Sequence, residues 1–598
     1  MPDQAPENNV VLNIRRSCLG QAWHFRVDGE TCVETLMQKS GLEVLQARLL
    51  AGRRIKPQHV DDFLNPTLRR LLPDPSNLAD MDRAAGLILD ALESGRSVFV
   101  FADYDVDGAT SAAQIIRWAR HYGYDIGLYI PDRIKEGYGP SEAAFKALKA
   151  NSAELVITVD CGATAYDALD AAAKMKLDTI VIDHHMMMDT GPKCAALVNP
   201  NRPDDESGLG YLAAAGVSFM LLVALTREAG RRDWDDPPDL LNFLGLAALG
   251  TICDVMPLQG LNRAIVRQGL KKLSQPGPPG QGGIAGLAAL AEVAGAEPPF
   301  TTYHAGFIFG PRLNAGGRIG NPLMGAELLI TDNTQTAFSH AAELDHVNAE
   351  RKTIQEDVLR ESIEQLSPFD ENCAVIVVAM EGWHPGVIGI VAGRLKDRFR
   401  RPSVVIGIDG NRLGRGSGRS IRGVDLGQAI HKAAAQGYIL SGGGHTMAAG
   451  MSIRAEDIDK FREFMNRELS GTVRKSLEHR ALDVDALLAP SAVSFETLDQ
   501  IDAFAPYGVG NPRPVFAISN MVCTYAKRLR GGHLRCGFRH AGSGHTLGTV
   551  CFGAEESGLD AVLTDINTPP LHLAVHLSRK KWQGRDQLDV QLLDAAFA

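Results

Sequence analysis

The 598-residue chain is short of several things. Its nine cysteines, an odd number, occur singly with no Cys-x-x-Cys pair, which argues for reduced thiols rather than a disulfide framework or a zinc ribbon. No apolar run reaches the ~20 residues needed to cross a bilayer. The longest, Tyr211 to Leu225, is broken by alanine, glycine and serine and reads as a core helix. Met1 to Asn9 is polar and lacks the basic and apolar regions of a signal peptide. The expected compartment is therefore the cytoplasm, with no membrane partner. Positive charge is not in excess either. The formal net charge is −10, so any nucleic-acid partner must be held by local basic stretches rather than by the overall field. There is no internal repeat and no low-complexity tract. Hydrophobic residues at 45% and charged residues at 22% describe an ordinary globular chain long enough for several domains.

What the chain does have is a series of apolar runs that end in acids or imidazoles. Asp103, Asp105 and Asp107 follow Val98-Phe99-Val100-Phe101, Asp160 follows Leu155-Val156-Ile157-Thr158-Val159, and Asp183-His184-His185 follows Thr179-Ile180-Val181-Ile182. Strand alternating with helix from Val98 to Val198 predicts a doubly wound α/β unit. In an open parallel sheet the carboxyl ends of the strands line one crevice, so these side chains converge there. Converging carboxylates repel unless cations hold them. Oxygen ligands with a minority of imidazoles suit Mn²⁺ or Mg²⁺, and the number of acids suggests two ions and phosphoester hydrolysis.

Around this unit the pattern predicts a proline-studded helical preface from Val33 to Ser94 and a surface loop at Gln275 to Gly280. One long charged helix follows from Thr334 to Leu366, bridging two lobes. A second α/β lobe starts at Ala374 and includes Val404 to Ile408. Arg412, Arg415 and Arg419 alternate there with glycine and serine, and Ser441 to His445 reads as a flexible turn. Short strands from Met521 onward suggest a small barrel, with Lys527, Arg528, Arg530, Arg535, Arg539, Arg579, Lys580, Lys581 and Arg585 interleaved with Tyr525, Phe538 and Trp582. Arg312 and Arg318 lie in a glycine-containing run that suits phosphate.

The ordered set Asp105-x-Asp107, Asp183-His184-His185 and Asp254, with Gly137-Tyr138-Gly139, Gly310-Pro311-Arg312-Leu313-Asn314-Ala315 and Gly442-Gly443-Gly444-His445, resembles the DHH phosphoesterase superfamily. Within it the bacterial single-strand-specific DNA exonucleases are the nearest likeness, from about Leu42 to the C-terminus. The resemblance implies one ion on Asp103, Asp105 and Asp160 and a second on Asp107, Asp160, His184 and Asp254, with His185 beside the phosphate. Related pyrophosphatases carry a histidine four positions before the first paired aspartate; here that position is Phe101, and Asp103 is offered instead. The resemblance further implies that Arg312, Ser417, Arg419 and His445 hold the 5′ end, that Arg133 and Tyr138 contact the following nucleotides, and that Arg318 also binds substrate.

It implies five segments: a helical preface (1–80), the DHH lobe (81–260), a helical linker with a phosphate-binding loop and the long helix (261–368), the DHH-associated lobe (369–470) and an OB-fold (471–598). The activity implied is 5′-to-3′ exonuclease action on single-stranded DNA in recombination and repair, with single-strand-binding protein and a RecQ-type helicase as partners. A phosphodiesterase for short oligonucleotides or cyclic dinucleotides, and a non-catalytic DNA-binding scaffold, are the competing expectations.

Overall fold

The computed structural model describes residues 9–598 apart from Asp28, Ile134, Lys135, Tyr138, Asp189, Thr190, 276–282, Ile566 and Gln583, and without the side chains of Lys581 and Trp582. Most of the tract expected as a surface loop at 275–280 thus lies outside the described residues. The chain forms two compact units, one of Asp61–Thr353 with Pro506–Pro512, the other of Met1–Val60, Ile354–Ala505 and Arg513–Ala598.

The first unit is built on a five-stranded sheet in the order Gly127–Tyr129, Val98–Ala102, Leu155–Val159, Asp178–Ile182, Ala196–Val198, every neighbouring pair parallel. Apolar strands such as VFVFA and LVITV show no polar alternation because helices bury both faces. Met81–Glu93, Val106–His121, Ala214–Arg231 and Leu244–Cys253 pack on one face. Glu142–Ala150 and Tyr166–Lys174 cover the other. This order places the reversal of the chain between Val98–Ala102 and Leu155–Val159, the switch point at which such sheets bind ligands.

The second unit holds a mixed sheet, Ser441–His445, Ala448–Arg454, Leu413–Arg419, Ser403–Ile408, Ile376–Glu381. Ser441–His445 is a strand, not the flexible turn expected from its glycines. Ala448–Arg454 supplies an antiparallel ladder, and the missing side chains make room for the helix Leu426–Ala435. Phe516–Leu529, His533–His540, Thr546–Cys551, Arg585–Phe597 and Leu571–Trp582 pair in that order, and the last pairs back onto the first, closing a five-stranded barrel. Within the segment expected to be a helical preface, Ala22–Phe25 is instead a strand paired parallel with Ala481–Val484. It buries Trp23, whose Nε1 donates to Asp594 Oδ2 at 3.1 Å. The long helix runs Thr334–Gln365.

Candidate metal centre

Asp103, Asp160 and Asp183 each occupy the first position past a strand of the parallel sheet, and their backbone N–H groups continue the ladder to Val159, Ile182 and Val198. Asp105 is the N-cap of Val106–His121, its Oδ1 accepting from the N–H groups of Asp107 and Gly108. Asp107 points the other way. Its two oxygens accept from Ala214 and Ala215 at 2.7 and 2.9 Å, the first N–H groups of Ala214–Arg231, where the helix dipole favours negative charge. Asp160 has φ +61°, a left-handed conformation that aspartate tolerates better than most side chains at a cost of about 1 kcal/mol or more.

Asp254 arrives from a fifth element, at the C-terminus of Leu244–Cys253. Helix approach there requires Gly250: a Cβ would lie 2.5 Å from Ala215 Cβ and 2.6 Å from Asp107 Oδ1. The result is two neighbouring groups, Asp103/Asp105/Asp160 and Asp107/His184/Asp254. Within each, one ligand atom per residue lies within 4.8 Å of the others, and a third such group joins Asp160, His184 and His185. His184 Nε2 sits 3.3 Å from Asp160 Oδ1, 3.5 Å from Asp254 Oδ2 and 3.8 Å from Asp107 Oδ2.

Burial and mutual repulsion push Asp103, Asp107 and Asp160 well above the usual carboxylate range, and burial with the charge of Asp105 pushes Asp254 up to about 7. Burial and the neighbouring His185 hold His184 down at about 4, a neutral imidazole able to act as a ligand. His185 is the opposite case. Burial alone would lower it, but its Nδ1 lies 2.7 Å from Asp183 Oδ1, and that charge raises it to about 9. Asp183, held at about 2 despite its burial, also accepts from the backbone N–H groups of Ala163, His184 and His185.

The residues fit a pair of hard divalent cations. Asp103 Oδ1 and His184 Nε2 are buried with no hydrogen-bond partner among the described residues, and the donor set is oxygen-rich. Sequence reasoning located Asp183 at the crevice without a specific role, and gave none to Asn199 and Asn201, whose amides hold the carbonyls of His185 and His184 at 2.9 and 2.6 Å. The signal was present: Asn199 ends the strand Ala196–Val198 just as the aspartates end theirs.

The DHH family N-terminal domain matches residues 97–251, the DHHA1 domain 372–471 and the RecJ OB domain 484–594. The curated single-stranded-DNA-specific exonuclease RecJ of Bacillus subtilis (strain 168) is 31% identical over 582 residues, which cover 96% of this chain and 71% of that protein. The chain belongs to the RecJ family. The crystal structure of RecJ in complex with Mn²⁺ from Thermus thermophilus has a TM-score of 0.77 at 29% identity, over 95% of this chain and 78% of that one. The Mg²⁺ complex from the same organism gives 0.72 at 28%, over 96% and 77%.

The other residues expected in a RecJ-family site fall into two sets. In the first unit the Arg133 guanidinium lies 5.2 Å over the Tyr104 ring. Burial, with Arg133 and Arg351 nearby, lowers Arg318 to about 10, so a basic group flanks the acids. Arg312 is engaged elsewhere: its Nε donates to Asp345 and its Nη1 to the Ile308 carbonyl, both at 2.8 Å. Gly310–Ile319 is a helix rather than the phosphate-binding loop expected, and its glycines back onto Asn321 and Tyr104. Tyr138 lies outside the described residues.

In the second unit Ser417 and Arg419 share the strand Leu413–Arg419, Arg419 Nη1 donating to Ser417 Oγ at 3.2 Å. A Cβ on Gly389 would lie 2.9 Å from Ser417 Oγ and 3.1 Å from Arg419 Nη2, so the start of helix Pro385–Phe399 runs directly against both. His445 reaches the same edge, since Ala448 is the register partner of both His445 and Arg419. On the barrel, Tyr525, Lys527, Arg535 and Arg539 are exposed, whereas Phe538 is buried inside, contrary to expectation. Arg579 is committed to Asp499, Asp502 and Asp586, which also departs from the DNA-contacting role expected of it.

Proposed function

We infer that this chain is a divalent-metal-dependent exonuclease that degrades single-stranded DNA from the 5′ end and releases 5′-mononucleotides. The carrying observation is the pair of ligand groups at the switch point of the parallel sheet, in a chain of the RecJ family. Asp103, Asp105 and Asp160 would hold one Mn²⁺ or Mg²⁺, and Asp107, Asp160, His184 and Asp254 the other, Asp160 serving both. Such a pair, when bound, activates water for in-line attack and offsets charge on the attacking and leaving oxygens. The chain's own contribution is placement. Asp183 keeps His185 charged and aimed, so that the imidazolium donates to a phosphate oxygen, while Asn199 and Asn201 fix the backbone of both histidines.

Ser417, Arg419, His445 and Arg312 are assigned to the 5′ end and Arg133, Tyr138 and Arg318 to the nucleotides behind it. Arg312 must then exchange or share its Asp345 partner. Tyr525 with Lys527, Arg535 and Arg539 offers a stacking face among cations, which suits an extended single strand irrespective of sequence. The barrel favours long polymers over a dinucleotide phosphodiesterase, and the complete set of acids and histidines favours catalysis over a scaffold. We place the protein in the cytoplasm, working with single-strand-binding protein and a RecQ-type helicase. Among the described residues no helix is long and apolar enough to cross a membrane. Digestion of end-labelled single-stranded and duplex DNA tests the reading: Mn²⁺-dependent loss of the 5′ label from the single strand alone supports it, and equal cutting of 3′- and 5′-blocked strands contradicts it.

A further inference from the structure

Away from the acids, the first unit carries a cavity of about 470 Å³ between the segment after Leu64 and the helices Leu244–Cys253 and Gly260–Leu273. Arg267, Lys271 and Lys272 line it, and among the described lining residues none carries a carboxylate. In a chain of net charge −10 that is a local reversal of sign. No ion pair to any of the three cations is found among the described residues; Arg267 donates to the Leu64 carbonyl, and Lys272 Nζ to Asn242 Oδ1 at 3.3 Å.

Lysines at the end of a helix are ordinary complements of its dipole. Arg267, more than a turn earlier, has no such reason to be there. The last carbonyls do not absorb the charge either, since Leu270 and Lys272 accept from the N–H groups of Ser274 and Gln275.

The remaining lining is of two kinds. Leu241, 45% exposed, and Leu244 give an apolar wall. Gln268 adds an amide whose Nε2 is buried with no partner among the described residues. A separate cavity of about 220 Å³ shares Lys272 with the first, is otherwise largely apolar with Phe300 in its wall, and carries the carboxylate of Glu292. Within the first cavity, three cations, an apolar wall and an unsatisfied amide match one class of ligand. Inorganic phosphate would leave most of the space empty, whereas small-molecule sites typically span about 300–1,000 Å³.

We propose that the cavity lined by Arg267, Lys271 and Lys272 is a nucleoside-phosphate site separate from the metal centre, the phosphates resting on the three cations and the base on the apolar wall. The occupant is either a mononucleotide released by the nuclease or a nucleoside triphosphate, and the two share the phosphate group the cations recognise.

The test is equilibrium dialysis of the full chain with labelled dTMP and labelled ATP, in EDTA so that phosphate cannot be held through divalent ions. One saturable site per chain is expected. Lys271→Gln/Lys272→Gln should weaken it by about tenfold or more, and Asp160→Asn should leave it unchanged. Tighter binding of dTMP assigns the released product, and tighter binding of ATP assigns the triphosphate. Because Lys271 is exposed and glutamine keeps most of its aliphatic stem, folding is checked by the melting curve, and Arg267→Gln provides an independent second variant.

Absence of saturable binding up to about 1 mM, the weak end of useful affinity, overturns the proposal, as does unchanged binding in both variants. Stoichiometric displacement by oligothymidylate also overturns it, since the surface would then belong to the polymer. Single-strand cleavage measured alongside should persist in the lysine variant, so loss of this site and loss of the nuclease assignment are read separately.

Discussion

His184 Nε2 lies 3.3 Å from Asp160 Oδ1, inside a shell that holds three carboxylates and no other partner for that nitrogen among the described residues. Asp160 alone belongs to both candidate ion positions and also faces the neutral imidazole of His184, which makes it the residue whose loss affects most. Asparagine tolerates the same left-handed backbone, so Asp160→Asn should fold, melt in EDTA at or above the wild-type temperature because one repelling charge is gone, and lose cleavage by more than about 100-fold, beyond what an outer supporting group costs. Differential scanning fluorimetry and a 5′-label release assay check both halves.

Stability without metal should fall as pH rises. Asp254 is held at about 7, and Asp103, Asp107 and Asp160 are also raised, so at these four groups the folded state binds more protons than the unfolded chain, outweighing His184, which is lowered to about 4. The derivative of unfolding free energy with pH is then negative. For Asp254 the contribution is full below the ordinary carboxylate value and is lost as pH passes about 7. Melting in EDTA from about pH 5 to about pH 8 should show this fall beyond that of a variant lacking Asp254, and added Mn²⁺ should raise the melting temperature more at the higher pH, where its ligands have already lost their protons.

Asp183→Asn should weaken Mn²⁺ binding and cleavage by about 10–100-fold. The side chain touches no candidate ion position, yet it fixes Ala163, His184 and His185 through their N–H groups. Mn²⁺ titration calorimetry on the folded variant separates this from unfolding.

Gly250→Ala should destabilise the first unit by about 1–3 kcal/mol through overpacking, because the new methyl meets Ala215 and Asp107. Chemical denaturation measures that loss, and cleavage should fall with it as Asp254 is displaced.

Lys527→Ala/Arg535→Ala should weaken single-strand binding while leaving cleavage of a dinucleotide intact. Each removed contact should lower the slope of log affinity against log salt by about 0.7. Fluorescence anisotropy at several salt concentrations reads it.

The strand-end acids were legible because a parallel sheet delivers every strand terminus to one crevice, so Asp103, Asp160 and Asp183 needed only apolar runs to be located. Asp254 was less so: a helix-terminal acid looks like any surface acid until Gly250 shows how closely its helix approaches. The strand Ala22–Phe25 left no local mark, since its partner Ala481–Val484 is distant in sequence. Phe538 and Arg579 were misplaced for a related reason. Alternation in a barrel strand shows that two faces differ, but which residue turns inward and which finds an acid depends on pairing register.

Anomalous diffraction from a crystal soaked in Mn²⁺ tests the central claim most directly. Two peaks are expected, one among Asp103, Asp105 and Asp160 and one among Asp107, Asp160, His184 and Asp254. A map with no peak between these side chains, or with ions only elsewhere, would contradict the account.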